Sequence, residues 1–173
     1  MIVFHGSDRI IESPDFLEPN RALDFGKGFY TTINEQQAES FARKVQDRLH
    51  SENAVVNVYD ADMDSIRQSL RCIWFYEADE TWLDYVSNNR GGIITQECDV
   101  VFGPVANDDV FRTFAAFQAG LLTKSETIAR LKVKQLYNQM TFKNKQSLNY
   151  LHFITSYSLW LNKNKSNLPP PYS

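Results

Sequence analysis

The spacing of apolar residues predicts strands and helices that alternate along the chain. Residues 2–4 form a β-branched and aromatic run, which predicts a short buried strand. Gly6 is expected to end this run, so His5 should lie at the end of the strand. Asn34 is a typical N-cap residue, and apolar residues at helical spacing follow it as far as residue 49. This stretch is the clearest helix in the sequence.

The other elements follow from the same two periodicities. Strands are predicted at residues 54–59, 72–76, 100–102, 136–142 and 150–154, and helices at residues 64–70, 82–86, 107–118 and 123–136. The run at 72–76 is almost wholly aromatic or β-branched, which predicts a strand buried on both faces. Residues 8–24 lack periodicity and are predicted to be irregular. Because strands and helices alternate, the pattern alone predicts a mixed α/β domain.

Composition is typical of a globular protein with one core. The 173 residues are 43% hydrophobic and 23% charged, which is ordinary for a single domain. We expect this domain to span residues 1–161, followed by a flexible polar tail at residues 162–173. The net charge of −3 argues against a protein that holds duplex nucleic acid by its phosphates.

The sequence gives no sign of a metal site or of a membrane segment. Its two cysteines, Cys72 and Cys98, fit neither a disulfide framework nor a zinc pattern, and we expect buried thiols in a reducing compartment. No apolar stretch reaches the roughly 18 residues of a membrane span, and the N-terminus lacks the features of a signal peptide. A cytoplasmic protein without a metal cofactor is therefore expected.

A glycine-rich stretch at residues 24–32, D-F-G-K-G-F-Y-T-T, is the most distinctive local motif. Gly26 and Gly28 flank a lysine and open into an aromatic, β-favouring run, which predicts a tight turn that feeds a strand. A backbone without side chains lets a ligand approach closely, so this stretch is expected to form the floor of a binding cleft. The sequence contains no Walker A loop, nucleophile elbow or metal-ligand spacing.

Three motifs in order carry a resemblance to a known superfamily. His5-Gly6-Ser7 is followed by Phe25-Gly26-Lys27-Gly28-Phe29-Tyr30 and then by Phe41. This set resembles the nicotinamide-binding half of the diphtheria-toxin and PARP-like ADP-ribosyltransferases, in which H-G-[S/T] precedes an F-G-x-G-[I/F]-Y strand and a helix with a second aromatic. The match covers residues 4–42. The chain is also similar to small uncharacterised bacterial domains grouped with these transferases, which read D-F-G-[K/R]-G-F-Y and G-P-V-A-N-D-D, as at residues 24–30 and 103–109.

The resemblance implies a single-domain α+β fold, with a split, mostly antiparallel sheet and flanking helices around an NAD cleft. It also implies roles for individual side chains: Tyr30 and Phe41 would sandwich the nicotinamide ring, and His5 would bond the adenosine-side ribose. The Gly6 backbone would pair with the nicotinamide amide. The cofactor-binding residues implied in this way are His5, Gly6, Ser7, Arg21, Gly28, Tyr30 and Phe41, with Arg21 as the pyrophosphate partner.

The implied catalytic set is His5, Tyr30 and Gln139. Members of the superfamily usually carry a Glu where this chain has Gln139. A Gln can orient the ribose 2′-hydroxyl but carries no negative charge and cannot act as a general base. The acceptor itself, or another carboxylate such as Glu97, would then have to supply the base.

The function implied is NAD-dependent mono-ADP-ribosyl transfer to a protein or nucleic-acid acceptor, with release of nicotinamide. An intracellular toxin or modifying enzyme, neutralised by an antitoxin or other inhibitory protein, fits this reading. Gln139 favours an alternative, an inactive module of the same fold that holds NAD or ADP-ribose or docks a partner. A third reading, RNA phosphotransfer like that of the tRNA 2′-phosphotransferase relatives, would need clustered Arg and His, and the chain has three His.

Overall fold

The computed structural model describes residues 1–15, 23–93, 97–104, 108–132 and 137–159. The expected pyrophosphate partner, Arg21, and the expected tail at residues 162–173 lie outside these ranges.

The described part of the chain contains seven strands and six helices. The strands are β1 (Ile2–Ser7), β2 (Phe29–Thr32), β3 (Val55–Ala61), β4 (Cys72–Trp74), β5 (Val100–Pro104), β6 (Asn138–Phe142) and β7 (Leu151–Ser158). The helices are α1 (Glu35–Leu49), α2 (Met63–Ser69), α3 (Glu80–Arg90), α4 (Asp108–Gln118), α5 (Lys124–Lys132) and α6 (Lys145–Leu148).

All seven strands belong to one sheet, in the order β4-β5-β6-β2-β1-β3-β7. The β4 and β5 strands pair in parallel, and the other five neighbouring pairs are antiparallel. The expected α+β class is therefore confirmed, and the α/β class predicted from periodicity alone is wrong. Periodicity identifies strands and helices, but it does not say which strands pair or in which direction.

Side-chain caps and helical spacing explain why the best-predicted helices form. The Asn34 side chain accepts a hydrogen bond from Gln37 N at 2.8 Å, which caps α1 as expected. Thr123 and Glu126 bond each other's backbone N–H groups at 2.8 Å and 3.2 Å, so α5 begins with a full capping box. No helix in the described ranges is long and apolar enough to cross a membrane.

Three strands differ from the sequence prediction at their ends. β1 continues to Ser7, which pairs with Val55, so Gly6 does not end the strand and His5 lies inside it. β4 stops at Trp74 and lies at the edge of the sheet, so the prediction of a strand at 72–76 buried on both faces is wrong. β5 extends to Pro104 because β4 has already ended there, and the missing N–H of proline leaves no partner unpaired.

The two faces of the sheet carry different groups of helices. On one face α2 and α6 cover an aliphatic and aromatic cluster that includes Val3, Phe29 and Met140. On the other face α1 packs against β1 and β3, while a separate cluster around Phe25 and Phe114 covers β5. Strands β2 and β6 lie between these two clusters, and the candidate site forms there.

Candidate functional site

The sheet is split between β1 and β2. Their ladder contains a single pair of opposite residues, Phe4 and Thr32. Residues 5–7 continue to pair with β3, and residues 29–31 continue to pair with β6. The facing edges of β1 and β2 therefore diverge after the Phe4–Thr32 pair, which leaves backbone N–H and C=O groups at a gap inside the sheet.

The side chain of His5 spans this gap. Its Nδ1 lies 2.7 Å from the carbonyl oxygen of Tyr30, and its ring stacks on Phe29 with centroids 4.3 Å apart. A carbonyl oxygen only accepts hydrogen bonds, so Nδ1 carries the hydrogen and donates it. Burial lowers the pKa of His5 below its usual 6.5, although the bond to Tyr30 opposes this shift. The imidazole is therefore neutral at pH 7, and Nε2 is left as an acceptor.

Tyr30 is held in place by the glycine turn that precedes it. Its hydroxyl accepts a hydrogen bond from Phe25 N at 3.1 Å and donates one to Gly26 O at 2.6 Å. Gly26 adopts a φ of +72°, which the turn requires and which glycine tolerates. Burial raises the pKa of Tyr30, so the phenol stays protonated and keeps its donor. The position of the Tyr30 ring therefore depends on this turn.

The turn itself is anchored to the helices and to β6. Asp24 forms a buried ion pair with Arg90 of α3, whose Nε lies 2.7 Å from Asp24 Oδ1. The two side chains are only 7% and 14% exposed. Phe25 is fully buried, and its carbonyl accepts a hydrogen bond from Lys143 Nζ. Much of the D-F-G-K-G-F-Y motif thus has a structural role.

Two glycines of the candidate site are explained by close packing. A Cβ on Gly6 would lie 2.6 Å from the backbone nitrogen of Ala42 in α1. A Cβ on Gly28 would lie 2.7 Å from the carbonyl oxygen of Phe142 in β6. Both contacts are far too short for a real Cβ atom. Glycine is therefore needed at position 6 for the close approach of α1 and at position 28 for the close approach of β6. The expected contact of Gly28 with a cofactor stays a prediction.

Phe41 lies on α1 next to Ala42, the residue that packs on Gly6. Phe41 is 42% exposed and belongs to none of the three described core clusters. An aromatic ring this accessible is available to a ligand, and its pairing with Tyr30 around a nicotinamide stays a prediction.

Gln139 lies on β6, directly opposite Thr32 of β2 and Gly103 of β5. Opposite residues of antiparallel strands share a face of the sheet, and so do residues two apart along one strand. Gln139 therefore faces the same side as Tyr30, about 7–8 Å away along the diagonal. The side chain is 5% exposed, and its Nε2 is buried without a hydrogen-bond partner. Because water does not reach this nitrogen, a ligand contacts it only after a neighbouring group moves.

Not all of the predicted residues face the same side of the sheet. Tyr30, Gln139 and the Cβ direction of Gly6 share the α1 side, as the strand registers require. His5 and Ser7 alternate with Gly6 and face the other side, where His5 reaches the split through its ring. The Ser7 hydroxyl donates to Asp8 Oδ1 at 3.3 Å.

Three polar residues of the site were missed by the sequence reading. Thr32 Oγ1 lies 2.6 Å from Gln37 Oε1, which links β2 to α1 next to Gln139. Thr141, opposite Tyr30, is fully buried, and its hydroxyl has no hydrogen-bond partner. Two-residue alternation along β2 and β6 could have placed Thr32 with Tyr30 and Thr141 with Gln139, but it could not have placed the two strands side by side.

The suggestion that Glu97 supplies a base at this site is wrong. Gln139 pairs with Gly103 near one end of β5, whereas Glu97 precedes Val100 at the other end, about 10 Å or more along the strand. Glu97 Oε2 is instead 3.4 Å from Arg71 Nη1, and its side chain is 83% exposed.

A shallow depression bordered by Glu12, Asp15 and Lys145 lies apart from the split, and none of the predicted site residues lines it. Among the described residues there is no group of three or more His, Cys, Asp or Glu arranged to hold a metal ion.

Comparison with known proteins identifies a family but no activity. No curated protein and no solved structure matches the chain. Residues 1–153 match the family described as "protein of unknown function (DUF3990)". This match covers most of the 173 residues, including strands β1 to β6 and the start of β7. The chain therefore belongs to the DUF3990 family.

Proposed function

We propose that this protein is an NAD-dependent mono-ADP-ribosyltransferase. The observation that carries the proposal is the orphaned amide of Gln139, which faces the same side of the sheet as Tyr30 and lies next to the split. A buried donor without a partner costs about 1–3 kcal/mol, so such a group is retained when a bound ligand completes it. The resemblance of residues 4–42 to the nicotinamide-binding half of these enzymes names the ligand.

The split sheet offers what a nicotinamide needs. The carboxamide of nicotinamide has an NH₂ donor and a C=O acceptor. These can pair with the backbone C=O and N–H groups that Gly6 presents at the edge of the split. Tyr30 and Phe41 supply aromatic rings on the same side, and stacking of this kind contributes about 0.5–1.5 kcal/mol beyond burial. Because the Tyr30 hydroxyl is fixed by the glycine turn, its ring is already oriented before a ligand binds.

Two further groups suit the riboses. The neutral His5 leaves Nε2 free to accept a hydrogen bond from a ribose hydroxyl. The N–H groups of Gln139 can donate to a hydroxyl oxygen of the nicotinamide ribose. In the reaction the bond between the ribose carbon and nicotinamide breaks, its electron pair leaves with nicotinamide, and the positive charge on the ribose is quenched by the acceptor.

The wider setting is part of the same proposal. It comprises a cytoplasmic toxin or modifying enzyme that acts on a macromolecular acceptor and is restrained by an inhibitory protein, as the family resemblance of residues 4–42 implies. NAD is the co-substrate, and no metal is required for this chemistry.

One observation favours a second candidate, an inactive module that binds NAD or ADP-ribose without reaction. Gln139 replaces the carboxylate expected at this position, and its nitrogen is sealed from water. An amide in a closed site can hold a ribose without activating a nucleophile.

Nicotinamide release by the purified protein separates these readings. Wild type should release nicotinamide from NAD, and Tyr30→Ala and Gln139→Ala should each lower the rate at least tenfold. Tyr76→Ala is the control, because Tyr76 is 84% exposed and follows β4, the edge strand that β5 and β6 separate from β2. Calorimetric binding of NAD without nicotinamide release would support the binding module, and neither binding nor release would refute both.

A further inference from the structure

We infer that the outer edge of β7 is a docking site for an extended, basic segment of a partner protein, which adds to the sheet as a further strand. This inference goes beyond the proposed function and does not depend on it, because it concerns the edge of the sheet and not the split. It follows from the open backbone edge of β7 and from two carboxylates that lie beside it.

Strand β7 is a long edge strand without the features that usually protect a sheet edge. It is the last strand in the order of the sheet, and among the described residues it pairs only with β3. Its eight residues, Leu151–Ser158, include no Asp, Glu, Lys, Arg or Pro. Native proteins blunt open edges with short strands, charged side chains or proline, because an open edge pairs readily with another chain. The edge of β7 therefore suits strand addition.

The opposite edge of the sheet is protected. Strand β4 has only three residues, Cys72–Trp74, and Arg71 directly precedes it. The guanidinium of Arg67 lies over the ring of Trp74, 5.2 Å from the ring centroid. Short length and positive charge both oppose the addition of a strand there. The contrast indicates that β7 is the edge that is open to a partner.

A bulge limits the docking stretch to one half of β7. The pairing register with β3 shifts by one residue next to Val58, which makes Ile154 the extra residue of a bulge. Beyond the bulge, Thr155–Ser158 pairs with β3 in a regular register. This regular stretch is the part of the edge that a new strand can follow.

Backbone groups of this stretch point away from β3 at alternate residues. Leu159 N donates to Ala54 O at 2.7 Å, so the backbone groups of Leu159 face β3. Because the direction alternates along an antiparallel strand, Ser156 and Ser158 direct their N–H and C=O groups outward. These are the donors and acceptors that an added strand would bond.

Two carboxylates of α1 lie beside this stretch and share a single donor. The hydroxyl oxygen of Tyr157 lies 2.7 Å from Glu35 Oε1 and 3.2 Å from Glu39 Oε1. A hydroxyl carries one hydrogen, so it donates to one carboxylate at a time. Neither Glu35 nor Glu39 forms an ion pair with another described residue. Two negative charges are therefore left next to β7 with one neutral donor between them.

This charge selects a basic partner. A strand added to β7 places a side chain opposite Tyr157, on the face of the sheet where Glu35 and Glu39 lie, because opposite residues share a face. A Lys or Arg there supplies the missing positive charge, and opposite charges across two strands attract. On the other face the added strand would lie beside Ser156 and Ser158, where a Thr side chain pairs well. The predicted segment alternates Lys or Arg with small β-favouring residues.

A second copy of this chain fits the edge less well. Each chain has a net charge of −3, and β7 itself contains no Lys or Arg to place opposite Tyr157. Joining two copies edge to edge would also bring both pairs of α1 carboxylates to one junction, where like charges repel. We therefore assign a basic partner segment. Pairing of two copies, and cover by residues 160–173 of the same chain, become outcomes of the test.

Nuclear magnetic resonance of the full-length, isotopically labelled protein tests the docking. The probe is a synthetic peptide of about six residues, a typical strand length, in which Lys and Thr alternate. Backbone signals of Thr155–Ser158 should shift as peptide is added to millimolar concentration. The amide hydrogens of Ser156 and Ser158 should exchange more slowly with solvent in the presence of the peptide. A peptide with Glu in place of Lys should bind about tenfold more weakly, or less.

Methylated peptides test whether backbone bonds carry the binding. In an antiparallel pairing with Lys opposite Tyr157, the Thr nitrogens of the peptide face β7 and the Lys nitrogens face away. Methylation of the Thr nitrogens should therefore weaken binding at least about tenfold, because two or more hydrogen bonds are lost. Methylation of the Lys nitrogens is the matched control and should have a much smaller effect.

Variants of the protein test the same edge from the other side. Ser156→Pro removes an outward N–H without touching the ladder to β3 and should lose binding, whereas Ser156→Ala keeps the N–H and should bind as wild type does. Glu39→Gln should weaken binding about threefold, within the range for a charge pair near the surface. Glu77→Gln removes the same charge from an exposed residue beyond β4 and should have no effect. Thermal unfolding shows whether each variant is folded, and if Ser156→Pro is not, the methylated peptides decide.

Four results would overturn the inference. The first is equal binding of the Lys and Glu peptides, and the second is wild-type binding by folded Ser156→Pro. The third is a dimer, measured by sedimentation, that Ser156→Pro dissociates, which would assign the edge to a second copy. The fourth is slow exchange of the Ser156 and Ser158 amides in a monomer without peptide, which would show that the chain covers its own edge. None of these results bears on nicotinamide release, so the proposed function stands or fails separately.

Discussion

Two buried amides in the same sheet should respond in opposite ways to replacement by an apolar residue. Gln139 on β6 and Asn57 on β3 are 5% and 0% exposed. The amide of Asn57 is satisfied, because Nδ2 donates to Arg9 O at 3.1 Å and Oδ1 accepts from Ile11 N at 2.8 Å. The Nε2 of Gln139 has no partner. The Asn57 amide therefore stabilises the fold, whereas the unpaired amide of Gln139 lowers the free energy of unfolding.

The magnitudes follow from these contacts. Gln139→Met keeps the volume and removes an orphaned donor that costs about 1–3 kcal/mol, and the low end of this range is expected. The free energy of unfolding should rise by about 1 kcal/mol. Asn57→Leu removes two hydrogen bonds and leaves Arg9 O and Ile11 N unsatisfied, so the free energy of unfolding should fall by about 2–4 kcal/mol.

Urea unfolding, followed by tryptophan fluorescence and by circular dichroism, measures both changes. For a chain of this length, 1 kcal/mol corresponds to about 2–4 °C in thermal midpoint. Gln139→Met should have a higher thermal midpoint than wild type and should release no nicotinamide. Gain of stability with loss of activity is expected when a residue is retained for function. If Gln139→Met destabilises the protein as much as Asn57→Leu does, Gln139 has a structural partner and the reasoning is refuted.

Three further substitutions test the parts of the site. Gly6→Ala places a Cβ against the backbone of α1 and should lower the free energy of unfolding by about 3 kcal/mol. Gly91→Ala is the control: the nearest atom is 3.3 Å away, and the free energy of unfolding should change by less than about 0.5 kcal/mol. Equal urea midpoints for the two variants would contradict the packing argument. Tyr30→Phe removes the hydroxyl that donates to Gly26 O, a loss of about 1–2 kcal/mol of hydrogen bonding. The thermal midpoint should therefore fall by about 2–8 °C. An unchanged midpoint would show that the turn does not depend on this hydroxyl. Burial lowers the pKa of His5, so the folded state resists its protonation: stability is complete above pH 6.5 and falls as the pH drops toward the lowered pKa, by at most about 1.4 kcal/mol per pH unit. His5→Gln should remove this part of the slope between pH 6.5 and 5, and superimposable pH profiles for the two proteins would disprove it.

The motif order and the helix caps could be read from the sequence because they are local. Asn34 caps α1 through a hydrogen bond to a residue three positions away. The two glycines at residues 26 and 28 predict a tight turn directly from the sequence. The alternation of residues along β6 was also visible, which made a strand through Gln139 predictable.

The sequence by itself determined most of the elements and the candidate residues of the site, because those signals lie within a few residues of one another. Only the tertiary structure decided that the ladder between β1 and β2 stops after one pair, that Gln139 lies opposite Thr32, and that Glu97 is at the far end of β5. These relations join residues about 100 positions apart in the case of Thr32 and Gln139, and strand pairing of that range leaves no periodic trace in either segment. The orphaned amide, on which the proposed function depends, exists only because that pairing buries it.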